Sequence, residues 1–496
     1  MDFLDPKKKR AHRIRLFIGY GLMAVALAMA TLILVFASYG YDIDRANGGI
    51  IQNGLVIVDA HPEAANIEVN GMNKGTTTNR LILPAGQYTV NLTRSGYRSW
   101  NHAVSLEGSS IEQLVYPFLF PQQLVTKTLQ TYNAIPTLAS ESPDRHWLVV
   151  NLPETPGAFQ VVDLNNKQNP ATTVSLPTDA FTTAAGAHTF EAVEWSTDNV
   201  HLLLKHSFTG GSEFIIFDRD TPANSVNLNK VFPNQPFTIV NLRDKKADQF
   251  YLYNAPDGNL FTADTKNKSP TLVQSHVQQF KSYQADTLLY VLTPPAGTTT
   301  SEVHYVQSGN DYILRTLPVA SKYLMDMAKF NNHFYVVVGS PTDGHNYVYQ
   351  DPLSAYTHKP AQAPRPFRVL IEPQAQYLSF SAIARFIAVQ SGSSFAVYDA
   401  ETGRQFHYDT KLNLTPDQKA TWMDGHRLMF TSGDTIVIFD FDGTNLQKLS
   451  PSNASFTPFF DRDYTALFSL APQTNAADKL QLLRTELKVL PPSSSQ

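Results

Sequence analysis

The sequence predicts an all-β protein carried on one N-terminal transmembrane helix: a small β-sandwich, then a seven- or eight-bladed β-propeller. Three observations lead there. An uncharged apolar run fills residues 16–41, alternating strand patterns with turns between them fill residues 54–118, and a strand-pair pattern then recurs eight times over residues 122–490. Long Ala/Glu/Lys/Leu-rich stretches are missing after residue 41, which fits many short strands joined by turns.

The apolar run LFIGYGLMAVALAMATLILVFASYGY is long enough to cross a bilayer, which needs about 20 residues of helix. Before it, residues 1–15 hold Lys7, Lys8, Lys9, Arg10, Arg13 and Arg15, whereas Asp42, Asp44 and Arg45 follow it. Positive charge stays inside, so the expected topology is a cytoplasmic N-terminus and an extracytoplasmic remainder. A cleaved signal peptide ending near Val35-Phe36-Ala37 is the alternative, but the run exceeds an ordinary signal core.

The whole chain has 39 basic and 43 acidic residues. Six of the bases and two of the acids precede the span, leaving 33 against 41 outside, a net of −8. That balance argues against nucleic acid as a partner, and it favours neutral or basic partners over polyanions. With no cysteine, the chain has no disulfide, thiol chemistry or lipidated cysteine.

After an expected linker over residues 42–53, which contains Asn47-Gly48-Gly49, alternation marks Leu55–Val58, Ile67–Val69, Tyr88–Leu92 and Ala103–Leu106 as half-buried strands. Turn signals Asn70-Gly71 and Pro84-Ala85-Gly86 lie between them. Within this stretch, His61-Pro62-Glu63-Ala64-Ala65, Ile67, Val69, Gly71, Gly75, Leu83-Pro84-Ala85-Gly86-Gln87-Tyr88 and Gly96-Tyr97-Arg98-Ser99-Trp100 resemble a PEGA domain. Ala64 replaces the third signature glycine, and Thr77-Thr78 stands where Thr-Pro is usual. The resemblance implies an envelope or surface module and no chemistry. Tyr88, Tyr97 and Trp100 are expected to pack within it.

From Trp147 onward each unit pairs two β-rich runs. The first runs are Trp147–Val150, His201–Leu204, Phe250–Tyr253, Leu288–Val291, Phe334–Val337, Phe386–Val389, Leu428–Phe430 and Ala466–Phe468, and their partners often end in Asp. From Asp144 to Asp463 the units average about 46 residues, the length of a four-stranded blade. Glu194-Trp195-Ser196-Thr197-Asp198 and Phe439-Asp440-Phe441-Asp442-Gly443-Thr444 resemble WD40-like propellers of the TolB type. Residues 124–129 (LVTKTL) are the expected strand closing the ring against the last unit, and residues 491–496 are expected to be disordered.

Motifs for zinc hydrolysis, serine acyl transfer, and phosphate or dinucleotide binding are missing. Gly71-Met72-Asn73-Lys74-Gly75 is read as a turn. His201 and His206, five apart on a strand, should face opposite sides and sit exposed, so no shared metal is expected. Asp399-Ala400-Glu401-Thr402-Gly403 resembles a quinoprotein blade turn but occurs once, and Asp163, Asp218, Asp399 and Asp440 read as turn residues. No catalytic, cofactor or metal residue is therefore assigned. The expectation is a membrane-anchored binding or scaffolding protein of the bacterial envelope, with a protein or cell-wall glycan as partner. The alternative is an enzyme acting in the propeller channel, as a glycan lyase or hydrolase.

Overall fold

The computed structural model describes residues 6–38, 40–43, 50–358, 363–412, 414–415, 418–474 and 476–489. Residues 1–5, Asn47-Gly48-Gly49 and the tail expected to be disordered lie outside the described residues. The chain divides into two units, Met1–Gln123 with Val489–Gln496, and Leu124–Lys488.

In the first unit a helix runs Pro6–Ser38, through the basic cluster and the apolar run. Its apolar side chains are uncovered, with Phe17 at 83% and Leu34 at 70% exposure. A sandwich follows. One sheet places Ile50–Val58 between Asn79–Pro84, which is antiparallel, and Ile111–Leu114, which is parallel; the other runs Met72–Thr76, Asn66–Val69, Gly86–Thr93, Trp100–Leu106. Alternation buries Val56, Val58, Ile67, Val69, Val90, Leu92, Val104 and Leu106. Tyr41–Ile43 pairs with Ile50–Gln52, so strand occupies both ends of the stretch expected to be linker.

Asn70 and Gly71 both have positive φ, as a two-residue turn between twisted strands requires. Ala64 sits at φ +58, a left-handed conformation that glycine adopts without cost, which accounts for the glycine usual at this signature position. Tyr97 and Trp100 are buried, and Trp100 meets Tyr116 edge-on at 5.7 Å. Tyr88 is half-buried and donates its hydroxyl to Pro84 O at 2.7 Å.

The second unit contains, among the described residues, eight four-stranded antiparallel sheets. The first is Ala139–Glu141, Trp147–Asn151, Ala158–Asp163, Ala171–Ser175; six more occupy 189–227, 239–274, 277–318, 324–371, 377–409 and 421–451. The eighth joins Phe459–Phe460, Ala466–Gln473 and Ala476–Glu486 to Val125–Thr131 from the start of the unit. Its register places Thr126 opposite Thr485 and Val125 opposite Glu486, with the two threonine hydroxyls 2.9 Å apart. The strand expected over 124–129 thus occupies the outer edge of the last sheet.

Hydrogen bonds link each sheet to the next around a closed ring. Trp195 Nε1 donates to Ser140 Oγ (2.9 Å), Leu242 N to Glu194 (2.7 Å), Arg243 Nε to Ala285 O (2.8 Å) and Gln279 Nε2 to Tyr323 O (2.7 Å). Continuing round, Lys322 Nζ donates to Gln376 O (3.4 Å), Ala420 N to Gln390 Oε1 (2.8 Å) and Ser469 Oγ to Pro451 O (2.7 Å). Phe460 N donates to Glu141 Oε1 at 3.1 Å, which returns the ring to its first sheet. Core clusters lie between neighbouring sheets, and one of them joins Leu148 and Val150 of the first sheet to Phe468, Leu470 and Leu482 of the last.

Candidate functional site

The fourth strands are mostly exposed, as in Ala171–Ser175 and Gln405–Asp409, whereas first strands of successive sheets meet one another. The first strands therefore line the ring axis, and their charged side chains point to a channel rather than a core. Lys281 pairs with Asp326 of the next sheet at 3.3 Å. Lys245, just past the first strand of the third sheet, pairs with Glu194 of the second, and Lys322, just ahead of the fifth sheet, lies over the Tyr377 ring at 5.2 Å.

Lys419, just ahead of the first strand of the seventh sheet, has no carboxylate partner among the described residues. Its side chain is exposed, yet burial among surrounding protein lowers its pKa; Lys281 and Lys322 lower it further, and Asp326 opposes them. Lys281 lies on the first strand of the fourth sheet, and Lys322 just ahead of the fifth. Lys245 is likewise lowered by burial and by Lys281. Ammonium groups that are wet and still partly desolvated are what a water-filled channel produces.

Two clefts open beside this channel. One of about 530 Å³ is lined by Ser140, Ala192, Glu194, Trp195 and Lys245. The other, about 220 Å³, lies between the seventh and eighth sheets and is lined by Gln418, Lys419, Thr421, Phe430, Thr431, Ser455, Phe456 and Thr457. Gln418 is fixed there, donating to Thr431 O at 3.2 Å and accepting from Thr415 N at 3.1 Å. The Thr431 hydroxyl is buried and has no hydrogen-bond partner.

The residues singled out from sequence lie elsewhere. Asp163, Asp218 and Asp399 each accept backbone N–H groups two and three positions ahead, and Asp399 also takes the fork of Arg385 at 2.9 and 2.7 Å. Asp440 accepts from the Asn445 amide at 2.9 Å. These are turn and ion-pair contacts, and among the described residues no three His, Asp or Glu side chains gather as metal ligands. Asn73 Oδ1 accepts from Gly75 N at 2.8 Å within a hairpin. His201 bonds Asp198 at 2.7 Å on the opposite face from His206.

His206 corrects the expectation of exposure: it is fully buried, stacked on Phe190 at 4.4 Å. Its Nδ1 lies 2.9 Å from Glu213 Oε1 and its Nε2 2.9 Å from His188 Nδ1, while His188 Nε2 lies 2.8 Å from Ala184 O. A histidine facing an acid across a hairpin was the available signal, since His206 and Glu213 flank the same turn. The channel lysines carried none, because each comes from a different repeat.

A closed ring of four-stranded sheets with a charged axial channel defines a β-propeller protein. Ahead of the ring, residues 53–115 match the family model of the PEGA domain. No curated protein matches the chain. Similar solved structures include the propeller of Dos1, at 10% identity and a TM-score of 0.43, covering 72% of this chain and 93% of that one. The β-propeller domain of Cps50 (Swd1) from Myceliophteria thermophila shows 14% identity and a TM-score of 0.38, covering 64% and 98%. An oligogalacturonate lyase from Vibrio parahaemolyticus shows 11% identity and a TM-score of 0.37, covering 75% and 100%.

Proposed function

We propose that this chain is a membrane-anchored, extracytoplasmic binding protein of the cell envelope, whose propeller holds a protein or glycan partner without turning it over. The observation that carries the reading is the helix Pro6–Ser38. Over residues 16–38 it is apolar on all sides and uncovered, the surface that a bilayer solvates, and its cationic residues gather at one end. On the far side of that helix in sequence stand the PEGA domain and the ring, whose axial channel and clefts offer exposed polar side chains to a ligand.

Cysteine-free sequence makes topology simple to test with Lys8→Cys and Lys266→Cys, the latter on a lysine whose side chain is 81% exposed. A membrane-impermeant maleimide applied to intact cells should label Lys266→Cys and spare Lys8→Cys; the reverse pattern overturns the orientation. Purified protein incubated with envelope fractions should then be retained without forming products. New reducing ends or unsaturated sugars would replace binding with catalysis.

A further inference from the structure

We propose that the outer face of the first sandwich sheet, which carries Ile82, Leu55 and Ile111 side by side, rests on the lipid headgroup layer beside the chain's own membrane-spanning helix. The proposal rests on the anchored reading above and deepens it by giving the protein a second contact with the bilayer. Strand register, a contrast within the same sandwich, and the way the helix joins the sheet lead to it.

Register comes first. Leu55 stands opposite Ile82 on one side and opposite Ile111 on the other. Strands lie about 4.8 Å apart, so the three side chains form an aliphatic row about 10 Å wide. Alternation turns Val56 and Val58 into the core and leaves Leu55 and Ile57 on the outer face. Ile82 is 72% and Ile111 59% exposed. In the next row Arg80 and Gln113 flank Ile57. Acids stand toward the two ends of the central strand: Asp42 opposite Ile51, and Asp59, which accepts from the Thr78 hydroxyl at 2.7 Å.

The second sheet of the sandwich shows what an outer face built for water looks like. There Glu68, Asn91 and Asn101 stand in one row, and the Asn91 amide donates to Glu68 at 3.0 Å. Further along the same strands Gln87 donates to Ser105 at 2.7 Å. A sheet whose outer side meets water places polar residues there, as this one does. The first sheet departs from that pattern beside the helix.

Attachment comes third and decides the occupant. The helix ends at Ser38 and the first strand begins at Tyr41. Gly40 O accepts from Asn53 N at 2.7 Å, Asn53 O from Ser109 N at 2.8 Å and Ser110 O from Leu55 N at 2.9 Å. The helix exit is thus bonded to the strand that carries Leu55, next to the turn that leads into Ile111. At about 1.5 Å per residue, residues 16–38 span about 35 Å against about 30 Å of hydrocarbon, which puts Ser38 at the headgroup level. Phe36 and Tyr41, with ring centroids 5.3 Å apart, fit the aromatic belt found there. No spacer separates that level from the aliphatic row.

The test is fluorescence quenching of bimane on single cysteines in the full-length protein, one chain per lipid nanodisc, with nitroxide lipids and aqueous iodide as quenchers. Probes at Ile82→Cys and Ile111→Cys should be quenched by the nitroxide lipids at least about twofold more than a probe at the exposed Thr89→Cys of the polar face, and should be shielded from iodide. Adding Ile82→Asp, or the milder Ile82→Thr if the first loses the β circular-dichroism spectrum, should bring quenching at Ile111→Cys down to the Thr89→Cys level. Equal lipid quenching on the two faces, or no response to the Ile82 substitution, overturns the proposal. Shielding from iodide without lipid quenching overturns it too, because protein then covers the face. A probe at Leu27→Cys, inside the span, separates the two readings. If it is quenched by the nitroxide lipids and Ile82→Cys is not, this inference alone falls, whereas an unquenched Leu27→Cys removes the anchor itself.

Discussion

Glu213, His206, His188 and Ala184 O form one continuous row of hydrogen bonds, with the carboxylate and the carbonyl at its two ends and the two stacked imidazoles between them. Burial pushes the Glu213 carboxyl up, but hydrogen bonds from His206, Thr182 and Asn227 more than reverse this and hold it at about 2. A depressed carboxyl stabilises fully above the ordinary glutamate range, and its contribution disappears as pH falls toward about 2. Glu213→Gln should lower stability by about 2 kcal/mol at neutral pH and flatten the acid limb of urea-unfolding midpoints. An unchanged acid limb would show that the row carries no such weight.

Among the elements, the second and third strands of each sheet were legible because neighbouring sheets cover both of their faces. Trp147–Asn151 and Ala158–Asp163 read as nearly continuous apolar runs for that reason. First strands line water and fourth strands face solvent, so Ala139–Glu141 and Gln405–Asp409 offered no such run. The candidate cleft was illegible for a related reason: Lys419, Thr431 and Ser455 come together only when the seventh and eighth sheets pack. At the seam Glu141 shows how a single strand end responds to closure. Burial pushes its carboxyl up to about 8, against Arg145 and the Phe460 amide that lower it, with Asp461 and Asp144 adding to the rise. Folded Glu141 thus keeps a proton that the unfolded chain gives up near an ordinary 4.5, and stability falls as pH climbs between those values. Glu141→Gln should remove that slope, so that the variant melts higher than the parent at pH 8 and alike at pH 4. Identical melting profiles would place Glu141 in water.

Over the whole molecule, net charge misdirects. The region beyond the helix sums to −8, which favours neutral or basic partners, whereas at the axis Lys245 and Lys281 stand one to one with Glu194 and Asp326. A sum over hundreds of residues carries no information about where a ring brings side chains together. Ring closure makes a second prediction at this scale. Deleting residues 456–496 removes three strands of the eighth sheet, strips Val125–Thr131 of its partner and uncovers Leu148 and Val150. The truncated protein should aggregate or unfold, read by size-exclusion chromatography and circular dichroism, and a monodisperse folded product would contradict a ring closed at this seam.

The strand Val125–Thr131 also fixes an order of events during synthesis. Thr126 is made 359 residues before Thr485, its partner across the seam. At about 5–20 residues per second that is a wait of roughly 20–70 seconds with an unpaired strand. Its sequence, VTKTLQT, is suited to waiting: polar side chains alternate with few apolar ones, and nearly every position stays exposed even after the ring closes. An ordinary apolar strand held open that long would seek other edges, including those of neighbouring nascent chains. Because its partner is made last, this polar strand can pair only late, and its exposed outer face leaves the finished ring free of a sticky rim.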